Sequence, residues 1–416
     1  MHRSSETLSS DHDINRITSP AIELDQATFL SRESKDDISR FLITLDRGIG
    51  DTLLVGLSAI DQIILNDPMA YGKIDILCTP LQSQIFAYDP RINRVIQTET
   101  KLDIGPHISE WLRGIFLDRE AAQLIHFLQS RCYEAILPAI VAPGLYLRLH
   151  THLMYPQVFQ LAKNLLLQRS PSDMPVRKFI RQTVNKYFSK DVPVSELHDD
   201  VVLFIDTQHI QTAMTVIESM KQQSRVDPEN ARVLLVAADS GSIVTRPPTL
   251  LLAPALTNAL RESHHLIIGI LPAYTDAMAA QNLKLALLPE FAGRVFMLQD
   301  ESTLTLLDTA ALIDQADICV TGDTGVMHLA SATKKVRQDK ATSCMPKNSV
   351  KIIAIFGGTN PDLWGDSERT IIVGRGRKEQ RRFSPGFVKE MYNPKNKNLF
   401  DHISPQQLTE TITGLL

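Results

Sequence analysis

Asp317-Ile318-Cys319-Val320-Thr321-Gly322-Asp323-Thr324-Gly325-Val326-Met327-His328-Leu329-Ala330-Ser331-Ala332 runs from a short apolar segment, through a glycine turn, into a segment of helical character. Gly322 and Gly325 permit a tight turn and the close approach of another backbone. Strand, turn and helix in that order are the repeating unit of a doubly wound α/β sheet. Downstream, Ile352-Ile353-Ala354-Ile355-Phe356 is a further strand, closing on Gly357-Gly358-Thr359-Asn360-Pro361.

Upstream the unit repeats. Strands are expected at 233–237, 265–271 and 295–298, with helices at 249–262, 276–288 and 304–315 between and after them. The first half has the same rhythm. Phe41-Leu42-Ile43-Thr44-Leu45 is a strand that stops at Asp46-Arg47-Gly48-Ile49-Gly50-Asp51, and a helix is expected over 52–65. Further strands are expected at 74–78, 94–97 and 133–137, with helices at 81–88 and 117–130 and helical segments up to about residue 190. Alternation on this scale means parallel sheets. The reading is α/β: two tandem Rossmann-like parallel-sheet domains with a cleft between them. The expected divisions are a disordered acidic extension over 1–38, an acceptor-side domain over 39–200 and a donor-side domain over 201–416. Ser404-Pro405 places a cap and a first-turn proline at the start of a closing helix.

Composition narrows the class. At 416 residues, the chain exceeds the roughly 250–300 residues at which single cores stop growing. It is 44% apolar and 22% charged, as globular proteins are. No apolar run approaches the roughly 18 residues that cross a bilayer, and the first thirty residues lack a signal-peptide layout. Cys78, Cys132, Cys319 and Cys344 lie far apart and read as free thiols. Cytoplasmic location is the expectation. A net charge of −4 argues against a dedicated nucleic-acid binder. Basic residues cluster at Lys334, Lys335, Arg337, Lys340, Lys347 and Lys351, and again at Arg375, Arg377, Lys378, Arg381 and Arg382. They allow peripheral contact with an anionic membrane, or are solvated loops.

Ligands of open α/β sheets sit beyond the carboxyl ends of the strands. In the 317–332 stretch, free N–H groups at the helix start attract phosphate. Thr324 adds a hydroxyl, and His328 lies one turn further on. Asp323 suits a sugar hydroxyl or a backbone N–H. The other reading is that Asp323 caps the helix and His328 is a buried core histidine. Gly48-Ile49-Gly50-Asp51 offers a carboxylate that either caps a helix or acts as general base on an acceptor hydroxyl. Arg246, in the loop 239–246, either stabilises a diphosphate leaving group or lies on the surface. Gly357-Gly358-Thr359 is a further turn at the same sheet edge. The Walker loop, the hydrolase Gly-x-Ser-x-Gly elbow and the His-Glu-x-x-His zinc motif are absent from the sequence.

The run Val320–Ala332, the strand Ile353–Phe356 with Gly357-Gly358-Thr359-Asn360-Pro361, the turn Ile49–Leu54 and the ending Asp401–Leu408 together resemble the ADP-heptose:lipopolysaccharide heptosyltransferase family (glycosyltransferase family 9). The resemblance implies a GT-B fold, inversion at the transferred sugar, no metal and no cofactor. The co-substrate it implies is a nucleoside-diphosphate sugar, ADP-linked in the family's own case. Asp51 matches the catalytic base. Asp323, Thr324, Gly325 and His328 match the donor site. Arg246 aligns with a basic residue in the loop after the first strand of the donor domain. Gly357, Gly358 and Thr359 fall on the donor side, Gly48 and Gly50 on the acceptor side. Where the family carries Pro-Gly-Ala, a base and Trp-Pro, this chain has Ala237-Ala238-Asp239-Ser240 and Thr245-Arg246-Pro247-Pro248. The expected partners are a nucleotide-sugar donor and a glycan or glycolipid acceptor. The alternatives are a nucleotide-sugar epimerase of the same fold, or an inactive member that binds a sugar nucleotide or a partner protein.

Overall fold

A computed structural model describes residues 39–45, 48–97, 131, 133–138, 174–197, 200–238, 240, 245–272, 277–298, 304–337, 344–364, 369–374 and 399–416, with Asp51, Pro138, Leu363 and Trp364 as backbone alone. The chain divides into the units Met1–Ile38 and Ser39–Leu416, and every described residue lies in the second. The extension 1–38, the helix expected at 117–130, the segments at 139–173, Cys132 and the basic stretch 375–382 lie outside the described residues.

The first sheet begins with β1 (Phe41–Thr44). A helical turn, Ile49–Asp51, follows, then a π-helical stretch, Thr52–Leu57, and α1 (Ser58–Asn66). One continuous α-helix was expected over 52–65. The widened stretch arises where Gly56 allows close approach: a methyl group there would lie 3.3 Å from a Leu45 methyl and 3.5 Å from the Phe86 ring. Next come β2 (Ile74–Cys78), α2 (Pro80–Ser83), β3 (Ile92–Gln97) and β4 (Ala135–Pro138). The sheet order is β3-β2-β1-β4, all parallel. A buried carboxylate inside it, Asp75, is satisfied by Ser39 and Tyr133 hydroxyls at 2.7 and 2.8 Å. α3 (Val176–Tyr187) packs back on α1, and Asn185 accepts from Gln62 at 2.6 Å and Asn66 at 2.7 Å.

The second sheet is built from β6 (Arg232–Val236), α5 (Thr249–Glu262), β7 (Leu266–Ile270), α6 (Ala277–Phe291), β8 (Val295–Met297), α7 (Leu306–Gln315), β9 (Ile318–Gly322), α8 (Gly325–Ser331), β11 (Lys351–Ile355) and β12 (Thr370–Val373). Its order is β12-β11-β9-β6-β7-β8, again all parallel. β7 and β9 are buried along their whole length, so they read as unbroken apolar runs rather than as alternation. α9 (Pro405–Thr413) starts as its capping serine requires: Ser404 Oγ accepts from the Gln407 N–H at 3.0 Å. It packs on α5, where the Thr409 hydroxyl donates to the Ala255 carbonyl at 3.2 Å.

A third pairing was not expected. β5 (Val202–Ile205), which leads into α4 (Thr207–Gln223), pairs in parallel with β10 (Thr333–Val336), the strand directly after α8. Two buried arginines of the first half hold the approach to β5. Arg91 donates to Asp89 at 2.6 Å, to Asp61 and to the Val202 carbonyl at 3.0 Å. Arg181 donates to Asp61 at 3.2 Å and to the Asp200 carbonyl at 2.6 Å. Asp61 is thus the anion shared by both guanidiniums. Removing one partner of a buried ion cluster costs more than the cluster contributes, because it strands desolvated charge. Asp61→Ala should lower stability by about 3 kcal/mol or more in chemical denaturation, and Asp61→Asn by less.

Candidate functional site

A parallel sheet opens a crevice where its strand order reverses direction. In the second sheet β6 runs on to β7 and β8 on one side, and the chain then returns to β9, β11 and β12 on the other. The reversal lies between β6 and β9. The loop after β6 carries Arg246, and the turn after β9 carries Asp323 and Thr324. These two connections touch. A methyl group at Gly322 would lie 2.2 Å from the Thr245 carbonyl oxygen and 2.7 Å from the Pro247 ring, so only glycine fits. In the first sheet β1 is followed by β2 and β3 on one side, with β4 on the other, so its reversal lies at the end of β1. Gly48–Asp51 stands there.

The two reversal points meet each other. A methyl group at Gly325 would lie 3.1 Å from the Gly50 nitrogen and 3.1 Å from Ile49 Cβ. One at Gly50 would lie 3.2 Å from the His328 ring. The structure therefore brings Gly50, Gly325 and His328 together, with Gly48 and the Asp51 backbone in the same turn. The Asp51 side chain lies outside the described residues.

The N-cap of α8 is Thr324, not Asp323. The Thr324 hydroxyl accepts from the Val326 N–H at 3.2 Å and shares a proton with the Thr321 hydroxyl at 3.0 Å. A hydroxyl suffices for the cap, which leaves Asp323 half-buried just outside the helix. His328 is buried, and its Nδ1 has no hydrogen-bond partner among the described residues. Burial first, and then the positive charge of Arg177, hold this imidazole well below the usual histidine range. It is therefore neutral at pH 7 and can offer a ring nitrogen but no charge.

Arg177 was not singled out from the sequence. It is fully buried on α3 and donates to the Ser331 hydroxyl at 3.1 Å, reaching from the helix that packs on α1 to the end of α8. Arg246 turns inward and donates to the Ser240 carbonyl at 2.9 Å. Gly357 and Gly358 are occupied otherwise. Methyl groups there would lie 2.6 Å from the Phe400 ring and 3.2 Å from a Leu399 methyl, so these glycines admit the chain that leads to α9. Thr359 beside them holds a buried hydroxyl without a hydrogen-bond partner among the described residues. Cys78, Cys319 and Cys344 are free, and burial pushes the first two up to about 12. Among the described residues no group of three His, Cys, Asp or Glu side chains is placed to hold a metal ion.

Residues 302–386, spanning the β9 turn and the strand after it, match the model of glycosyltransferase family 9 (heptosyltransferase). The segment carries a family 9 signature. The chain is also similar in structure to a glycosyl transferase family 9 protein of Veillonella parvula, at a TM-score of 0.64 and 13% identity over 91% of this chain and 97% of that one. ADP-heptose lps heptosyltransferase II of E. coli follows at 0.59 and 15%, over 90% and 98%. Heptosyltransferase WaaC of E. coli with ADP-2-deoxy-2-fluoro heptose gives 0.54 and 15%, over 91% and 100%. At these identities the structural likeness is one of fold, the GT-B arrangement. No curated protein matches the chain. Family signature and fold together support a heptosyltransferase-like glycosyltransferase.

Gly325 does not have a positive φ, so Gly325→Ala would ordinarily stabilise by about 0.4–1 kcal/mol. The Gly50 contact reverses the sign. A loss on the order of 1 kcal/mol is expected in denaturant titration, by overpacking. Lys334 gives a pH test in the same region. It is 1% exposed, bonds the Ala330 carbonyl at 2.9 Å, and is pulled by burial from 10.5 down to about 8. Between about pH 8 and 10.5 the unfolded chain holds a proton that the folded chain has lost. Stability should therefore rise with pH across that window and be flat with respect to this group below it. Lys334→Met should remove the rise in a pH series of melts.

Proposed function

We propose that the chain is an inverting glycosyltransferase that needs no metal, moving a heptose or hexose from a nucleoside-diphosphate donor to a hydroxyl of a glycan or glycolipid. What supports the reading most is the meeting of the two reversal-point turns, Gly50 against Gly325 and His328. That meeting brings an acidic residue of one sheet within a turn of the family 9 signature of the other. The domains are read as an acceptor side over 39–200 and a donor side over 201–416.

Asp51 takes the proton of the acceptor hydroxyl. That oxygen forms a bond to the anomeric carbon from the face opposite the diphosphate. The bond from this carbon to the diphosphate oxygen breaks, and its electron pair leaves with the diphosphate. The N–H groups at the start of α8, with Thr324, take up that charge. Arg246 adds a fixed cation, and neutral His328 a hydrogen bond. Asp323 and the free hydroxyl of Thr359 face the donor's sugar or ribose, with the Gly357-Gly358 turn behind them. The rate then rests on holding two substrates together and stabilising a leaving group. An ADP-linked sugar is the first donor to try, as the ligand named with the WaaC structure suggests. No described helix is long and apolar enough to cross a membrane. The reading places the enzyme in the cytoplasm, at most peripheral to an anionic membrane, serving lipopolysaccharide assembly.

Asp51→Asn should lower turnover by about 10²–10⁴-fold, the range of a lost general base. Calorimetry with ADP-heptose should show donor affinity nearly unchanged. Equal loss of donor binding would overturn the base assignment.

A further inference from the structure

The turn Gly48–Asp51 has little of its own to hold it. Gly48 and Gly50 bring no side chains, and nothing among the described residues, its chain neighbours aside, lies within 4 Å of where a Gly48 methyl group would be. The next six residues, Thr52–Leu57, are π-helical, a rare form that is frequent at functional sites. The anchor comes from the short helix after β2. Thr52 directly follows Asp51 and is fully buried. Its N–H and its hydroxyl both donate to the Gly48 carbonyl, each at 3.1 Å. The same hydroxyl oxygen accepts from Gln82 Nε2 at 2.9 Å.

Gln82 is 2% exposed and is the third residue of α2. Its Oε1 accepts from the Thr79 N–H at 2.9 Å and the Thr79 hydroxyl at 3.0 Å. Thr79 follows the last residue of β2. Because Oε1 is committed to two donors, the amide cannot flip, and Nε2 must point at Thr52. The Thr52 oxygen then receives a proton from Gln82 and has only its own proton to give, which goes to Gly48. The hydrogen bonds along Thr79–Gln82–Thr52–Gly48 therefore all run in one direction.

We infer that Thr52 and Gln82 are positioning residues: through the Gly48 carbonyl they fix the turn that carries Asp51 against Gly325 and His328. This rests on the reading of Asp51 as base. Neither residue is asked to touch a substrate. A misplacement of about 1 Å can cost on the order of 10²-fold in rate, so loss of the chain should appear in kcat while donor affinity stays.

The test compares wild type with Thr52→Val, Thr52→Ser, Gln82→Glu and Asp51→Asn. It measures ADP release from ADP-heptose with a glycolipid acceptor, ADP affinity by calorimetry, and thermal midpoint. Thr52→Val, which keeps the shape and loses the hydroxyl, should lower kcat by about 10–10²-fold with ADP affinity unchanged. Thr52→Ser should restore most of the rate. Gln82→Glu replaces the amide donor with an acceptor and draws the Thr52 proton away from Gly48, so it should also lower kcat in a folded protein. It decides the matter if Thr52→Val fails to fold. Wild-type kcat in Thr52→Val or Gln82→Glu, with Asp51→Asn inactive, overturns the positioning role and leaves the base. Full activity in Asp51→Asn overturns the base reading itself. A wild-type protein inert toward ADP-, GDP- and UDP-sugars overturns both.

Discussion

A side chain at Gly325 would crowd the Gly50 nitrogen and Ile49, and one at Gly50 would crowd the His328 ring, across the junction of the two sheets. The rest of the site depends on this contact. Each glycine stands where its sheet reverses strand order, so the contact brings together the two places at which such sheets ordinarily bind ligands. A methyl group on either side would push the Gly48–Asp51 turn and the start of α8 apart by a few tenths of an ångström.

Other ties share the load. Gln84 of the first half accepts the Leu306 N–H at the start of α7 at 2.9 Å, and the Tyr88 ring stands edge-on to His209 at 5.3 Å. His209 is itself held by Asp308 at 2.6 Å. Arg177 reaches Ser331, and Arg91 and Arg181 grip the segment before and within β5. The desolvation of these arginines is repaid only when all their acceptors are in place. They therefore specify one mutual placement of the halves more than they add stability.

Most strands and both decisive turns were legible in the sequence, for opposite reasons. Strands such as Leu266–Ile270 and Ile318–Gly322 are buried along their whole length and so spelled without the alternation of charged and apolar residues that a half-exposed strand shows. The turns show because glycine is required by sterics. What stayed hidden was polar or distant. Thr333-Lys334-Lys335-Val336 does not read as a strand, since a lysine at an inward position contradicts the pattern; Lys334 resolves this by losing basicity and bonding Ala330. Arg177 reads as surface charge until a partner from a different element surrounds it. Thr52 and Gln82 are unremarkable letters whose meaning lies in a proton direction, which no local spacing encodes. Gly357 and Gly358 were legible as a turn, but the Phe400 ring that fills their space comes from far along the chain.

The β5–β10 pairing has a consequence in the order of assembly. As the chain is synthesised, β5 emerges with its apolar side chains well before β10, and the whole run from β6 to β9 is made in between. Pairing between strands so far apart must wait for the intervening sheet, since the entropy of closing that loop is not offset by β5 and β10 alone. α8 lies between β9 and β10, joined to the first through Asp323 and Thr324 and to the second through Ala332, so the helix that opens at Gly325 is fixed at both ends only once β10 has paired. β11 and β12 are made later still, so the edge of the second sheet is completed on a helix whose two ends are already tied.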